Sequence, residues 1–272
     1  MRTVFLLVAG AALAAACAPV VAPSTPMAAA PAAAAPAEAG YLSEAAIARL
    51  AAAVPAPYAD GSAGEQADRI RSDRYRTLEN GDRWLLATSH AELRPELALA
   101  HFDCAVGVRF ASTPTPRLTA LFGNLLHDAN GAAEIAKARA FRPRPVGVDP
   151  QRIACQRLTE AGRASPSYPS GSAAVGAAYG EALAIVAPDR AEAARAIGRQ
   201  IGVSRLVCGM HYPSDVAAGE AVGQAVFGEI AATPAFRADV EAARAELAGA
   251  RATGLTNPGC AAERAALAVV LP

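Results

Sequence analysis

The sequence predicts an all-α fold, a compact helical bundle. Apolar residues recur at steps of three and four in one segment after another, the period of a half-buried helix. Alanine, the best helix former, dominates a chain that is 53% hydrophobic but only 5% aromatic, so helices with small side chains should pack closely. No alternating apolar–polar run, hairpin signal or repeat period competes with this reading. At 272 residues the chain allows one domain and a tail.

The elements follow in order. Ser43 is placed to cap "EAAIARLAAAV". A second helix spans about 63–79 and stops at Asn80-Gly81, a turn signal. "PELALAHFDCAVGV" and "TPRLTALFGNLLHDANGAAEIAKARAF" each carry a helical apolar stripe. Pro143 and Pro145 should end the latter around Arg144, which leaves Lys137 and Arg144, seven residues apart, on one helical face. Further helices are expected over about 171–187, 189–203, 213–231, 234–249 and 259–269.

The N-terminus reads as a targeting segment. Met1-Arg2 supplies a positive start, and Val4 to Ala16 is apolar and ends in small residues, too short to span a bilayer as a helix. "LAAAC" places Cys17 as in a bacterial lipobox, with Ala14 where leucine is usual. Residues 1–17 are therefore expected to be a signal peptide with a lipidated Cys17. Residues 18–40, "APVVAPSTPMAAAPAAAAPAEAG", form an Ala/Pro linker that would reach roughly 70 Å when extended, and residues 41–272 form the helical domain. The expected location is periplasmic, tethered to the outer membrane by lipid. Five cysteines are an odd number, but without Cys17 the remaining four can all pair. Loss of Cys17 with a cleaved signal peptide would satisfy the parity equally well.

Net charge is zero, with 25 basic and 25 acidic residues. No basic field recruits nucleic acid, and membrane contact is expected only through the N-terminal anchor. The four histidines, at 90, 101, 127 and 211, are scattered, and no Cys/His/Asp cluster has metal-ligand spacing. Neither a metal nor another cofactor is expected.

Three polar fragments exceed what a helical core requires. "KARAFRPRP" carries Lys137 and Arg144. "PSGS", Pro169 to Ser172, opens a helix whose first amides are unpaired and whose dipole favours an anion, and Gly171 lets backbone approach a ligand. "SRLVCGMHYPSD" carries Ser204, Arg205, His211 and Asp215. With a helix starting at Pro213, Asp215 should reach one ring nitrogen of His211 and leave the other free to attack. Taken singly, each fragment also fits an ordinary structural role.

In this order and spacing, Lys-x6-Arg-Pro, Pro-Ser-Gly and Ser-Arg-x5-His-x3-Asp resemble the tripartite signature of the type 2 phosphatidic acid phosphatase superfamily, whose fold vanadium haloperoxidases share. "SYPSG", "SRLVCGMHYPSDVAAG" and "TPAFRADVEAARAEL" resemble its soluble branch, the class A bacterial non-specific acid phosphatases, over about residues 116–248. The resemblance implies a phosphohydrolase for soluble phosphate monoesters. Lys137, Arg144 and Arg205 would clamp the phosphate, Ser170 and Gly171 would add hydrogen bonds, His211 would form a phosphohistidine, and Asp215 would hold the His211 tautomer.

Ser172 departs from the pattern, because the family has a histidine there as proton donor to the leaving group. A serine hydroxyl is not a useful acid, so attenuated hydrolysis is expected unless another group, such as His101 or His127, stands in. The sequence leaves two other functions open. One is a catalytically weak phosphate-binding envelope lipoprotein, and the other is a vanadate-dependent haloperoxidase, which would miss the same histidine. A Cys155–Cys208 bridge would tie the segment before the Pro-Ser-Gly loop to the one before His211, leaving Cys104–Cys260. The count alone allows three pairings.

Overall fold

The computed structural model of the protein describes residues 40–272; the expected signal peptide, Cys17 and all but the last residue of the linker lie outside them. The described residues contain helices and no strands. The α-helices are α1 (Glu44–Ala52), α2 (Ala63–Arg74), α3 (Asp82–Ser89), α4 (Pro95–Ala98), α5 (Asp103–Val106), α6 (Pro116–Lys137), α7 (Pro145–Val148), α8 (Glu160–Ala164), α9 (Gly171–Val186), α10 (Ala191–Val207), α11 (Pro213–Ile230), α12 (Pro234–Ala252) and α13 (Cys260–Leu267). None of the described helices is long and apolar enough to cross a membrane.

Caps account for many boundaries. Ser43, Ser62, Thr159, Ser170 and Thr233 each accept a backbone N–H two or three residues into α1, α2, α8, α9 and α12, satisfying one of the amides that a helix start leaves unpaired. Glu246 of α12 does the same across space for α6, accepting the Arg117 and Leu118 amides at 2.9 Å. Asn80 has φ 62° and ends the α2 segment as the Asn-Gly turn requires.

Two expectations need correction. The stripe over 95–108 is not one helix. It splits into α4, a 3-10 turn at Leu99–Phe102 and α5, which closes on Gly107 in the left-handed region. Lys137 and Arg144 do not share a helical face either. Helix α6 ends at Lys137, and Arg144 precedes α7 with φ −72° and ψ 153°. The reason is steric: residues before proline are pushed out of the α region, and both Arg142 and Arg144 precede one.

Helix α9 is apolar all round and buried along nearly its whole length, so it forms the axis of the bundle, with α6, α10 and α11 against it. Tyr179 of α9 stacks on Phe122 of α6, with centroids 3.9 Å apart. On the α10 side the backbones nearly touch. A Cβ on Gly198 would lie 2.4 Å from the Gly176 carbonyl oxygen, and one on Gly176 2.6 Å from the Gly198 oxygen. Disulfides join Cys104 to Cys260, linking α5 to α13, and Cys155 to Cys208, linking the loop before α8 to the end of α10.

Gly198→Ala should therefore force α9 and α10 apart, costing about 1–3 kcal/mol as an overpacked core does. Thermal denaturation followed by circular dichroism should show the transition several degrees lower, whereas an unchanged midpoint would mean the crossing is looser than described.

Candidate active site

The bundle gathers four chain ends around one cleft of about 300 Å³: the last turn of α6, the turn into α7, the N-terminus of α9, and the segment from α10 to α11. Lys137, Arg144, Gly171, Ser172, Arg205 and His211 all line it. Three fragments distant in sequence thus meet at one place. Ser170 does not line it. Its hydroxyl is fully buried and caps α9 by accepting the Ala173 amide at 3.2 Å. Gly171 and Ser172 open α9, where the first amides of a helix have no partner within it. Gly171 is needed because a Cβ there would lie 2.8 Å from Asn130 Oδ1 on α6.

His211 sits on a tight return from α10. Gly209 adopts φ 64°, and the Met210 and His211 amides both fold back onto the Arg205 carbonyl. The ring is 2% exposed. Its Nδ1 lies 2.7 Å from the Ser167 carbonyl, which can only accept, so Nδ1 carries the proton. Nε2 therefore holds a lone pair, and it accepts from Arg144 Nη1 at 3.1 Å. Burial, with Arg144 and Arg205 adding to it against the pull of Asp215, pushes the imidazole pKa down to about 3, so the ring stays neutral in ordinary conditions.

Asp215 does not reach the ring directly, as the sequence reading expected. Its Oδ2 lies 3.8 Å from Nδ1, beyond hydrogen-bonding distance. The Ser167 hydroxyl stands between them, donating to Asp215 Oδ2 at 2.6 Å with its oxygen 3.3 Å from Nδ1. The remaining lone pairs of Asp215 take the Tyr212 amide at 2.7 Å and Arg142 Nη1 at 2.6 Å. Burial raises its pKa, but His211, Arg142 and Ser167 outweigh that and hold it below the usual carboxylate range.

Arg142 is a hub that sequence reasoning missed. It reaches Asp215 with one nitrogen and Asp68 of α2 with the other, at 2.8 Å, and lies 4.2 Å over the Tyr212 ring. Asp68 in turn accepts from the amide and hydroxyl of Ser214. Arg142 stands in the quoted "KARAFRPRP", but nothing local marks Asp68 or Ser167 as its neighbours.

Arg144 and Arg205 differ from Arg142. Both are buried, at 7% and 4% exposure, and among the described residues neither pairs with a carboxylate. Arg144 donates to Ser165 Oγ, the Met210 carbonyl and His211. Arg205 donates to Gln156 Oε1 at 2.8 Å, and its Nε has no hydrogen-bond partner among the described residues. Burial first, then Arg144, lowers the Arg205 pKa to about 10, so it remains charged. Lys137 is paired with Glu134 at 2.5 Å. His101 and His127 lie elsewhere. His101 faces a separate cavity with His90, and His127 bonds its neighbour Asp128.

Comparisons with known proteins show what the chain is similar to. Residues 118–238 match the PAP2 superfamily. An acid phosphatase from Zymomonas mobilis is 34% identical over 203 residues, 74% of this chain and 76% of that one. A non-specific acid phosphatase from Salmonella typhimurium is 30% identical over 172 residues, 62% and 68% of the two chains. The crystal structure of the first transmembrane PAP2 type phosphatidylglycerolphosphate phosphatase from Bacillus subtilis superposes with a TM-score of 0.45 at 20% identity, over 69% of this chain and 91% of that one. The chain belongs to the PAP2 superfamily, with the class A non-specific acid phosphatases. It is a phosphatase, a hydrolase of phosphate esters.

Arg142→Ala should leave Asp68 and Asp215 buried without their common cation. Breaking a buried pair in this way costs about 3–5 kcal/mol. Urea titration should show a markedly lower midpoint, and a midpoint equal to wild type would remove Arg142 from the hub.

Proposed function

We propose that this protein hydrolyses soluble organic phosphate monoesters in the cell envelope through a phosphohistidine on His211. The observation that carries the mechanism is an unprotonated, buried Nε2 held 3.1 Å from a guanidinium, in a cleft with two buried cations and no carboxylate on either. An ester phosphate would supply the missing anion. Its oxygens would take over the donors of Arg144 and Arg205, the Lys137 ammonium and the amides of Gly171 and Ser172. Phosphoryl transfer is governed by such positioning and charge neutralisation.

Nε2 then attacks phosphorus while Nδ1 keeps its proton on the Ser167 carbonyl. The ring becomes cationic as the P–N bond forms, and Asp215, across the Ser167 hydroxyl, stabilises that charge. Asp215 is thus a positioning and electrostatic residue. Water subsequently displaces His211 and releases phosphate. Ser172 lines the cleft where a proton donor would serve, but its hydroxyl cannot act as a general acid near neutral pH. Hydrolysis of esters with poor leaving groups is therefore attenuated.

The envelope assignment rests on the apolar N-terminal segment and the lipobox-like Cys17. The pairing of the other four cysteines into two disulfides fits an oxidising compartment.

Leaving-group dependence tests the reading. Nitrophenolate departs without a proton, whereas an alkoxide does not. Wild type should turn over p-nitrophenyl phosphate much faster than glycerol phosphate, His211→Ala should lose both activities, and Ser172→His should accelerate glycerol phosphate more than the aryl ester. The upper bound on that gain is the roughly 10²–10⁴ that acid–base catalysis supplies. Equal rates on both esters in wild type, with no effect of Ser172→His, would contradict it.

A further inference from the structure

Departure of an alkoxide needs a proton at the bridging oxygen, so the cleft must be asked which group could give one. His211 presents its lone pair and turns its only N–H to the Ser167 carbonyl. Guanidinium groups hold their protons too firmly to act as acids in this range. The other imidazoles lie outside the cleft: His90 and His101 line another cavity, and His127 bonds Asp128. Among the residues that line the cleft, one carboxyl remains, Glu134.

Its placement fits the task. Glu134 lies in the last turn of α6, three residues before Lys137, with Oε1 2.5 Å from Nζ. The same oxygen is 3.6 Å from the point where a Gly171 Cβ would be, beside the backbone that carries Ser172. Its side chain is about half exposed and so open to an incoming ester, unlike the buried Asp215. It also reaches the cleft from a different element than His211 does.

Resting on the phosphohistidine reading, we propose that Glu134 is the catalytic acid and base of this site, standing in for the proton donor Ser172 cannot be, but less effectively than a histidine at position 172 would, so that alkyl esters remain the slower substrates. The ester binds as its monoanion, and as Lys137 turns from Glu134 to a phosphate oxygen the carboxylate takes the monoanion's proton. In the first step the carboxyl then gives that proton to the bridging oxygen as the P–O bond breaks and the bond from His211 Nε2 to phosphorus forms, so the products are an alcohol, a carboxylate and phosphohistidine. In the second step the carboxylate takes a proton from water as the water oxygen bonds phosphorus and the P–N bond breaks. Orthophosphate leaves with that proton as its monoanion, and the Glu134 carboxylate, paired again with Lys137, and neutral His211 are restored. Lys137, released to a phosphate oxygen when the ester binds, ceases to hold Glu134 as its ion-pair partner and frees it for proton transfer.

Glu134→Gln tests this, because the amide preserves shape and a hydrogen bond to Lys137 but transfers no proton. With glycerol phosphate, kcat should fall by about 10²–10⁴, while inhibition by orthophosphate persists and shows an intact clamp. With p-nitrophenyl phosphate, a rapid burst of nitrophenolate should remain and steady turnover should slow, since only the second step then needs the base. The burst also reports the underlying reading separately, because His211→Ala should abolish it and Glu134→Gln should not. Adding Ser172→His to Glu134→Gln should raise the glycerol phosphate rate by a larger factor than Ser172→His alone gives in wild type. If Glu134 is merely the ion-pair partner of Lys137, the glutamine variant should bind phosphate more tightly and keep kcat within about threefold on both esters. That result, or equal factors in the two backgrounds, would overturn the proposal.

Discussion

Two guanidinium groups buried without a carboxylate set the terms for the rest of the structure. Removing a charge from water costs several kcal/mol even after relaxation, and proteins ordinarily recover this with an opposite charge. Arg144 and Arg205 recover it only in part, from a serine hydroxyl, a backbone carbonyl, a neutral imidazole and a glutamine oxygen. Arg142 shows the alternative two residues away, with one carboxylate on each side. The pair of arginines in "RPRP" therefore divides into a structural cation and a cation held ready for an anion. The prolines make this division by keeping the segment out of the helix and turning neighbouring side chains toward different partners.

Holding such a site needs a rigid frame, and the frame comes from small residues. Glycine contacts between α9 and α10, and a Cβ position on Gly219 only 2.2 Å from the Ser170 carbonyl, bring three helices close at the start of α9. That closeness lets a helix N-terminus, the end of α6 and the return after α10 share one cleft. Burial then does chemical work as well as structural work. It keeps His211 neutral, with its lone pair beside Arg144, where an exposed imidazole would be protonated over much of the acid range.

Much of this was legible from residue types and spacing. The periodicity of small apolar residues pointed to the bundle, and the three fragments carrying Lys137, Gly171, Arg205 and His211 do meet. What could not be read depends on contacts far apart in the chain. Asp68 meets Arg142 across 74 residues, and no local pattern predicts that. Spacing suggested that Asp215 would touch His211, one helical turn away, but Asp215 is drawn into capping α11 and pairing with Arg142, which leaves Ser167 as the intermediary. The family resemblance implied Ser170 as a ligand for phosphate, yet the helix uses its hydroxyl as a cap. Glu134 lay in plain view as an ordinary helix-surface charge, and its meaning depends on which side of α6 faces α9.

The most direct test of the account is to locate the phosphoryl group on the protein. Wild type mixed briefly with p-nitrophenyl phosphate, quenched in base to preserve any phosphohistidine and digested with trypsin should carry one phosphoryl group on the peptide spanning residues 206–237, at His211. Phosphate on the peptide spanning 164–190, at Ser172, or no covalent phosphate while turnover proceeds, would contradict it.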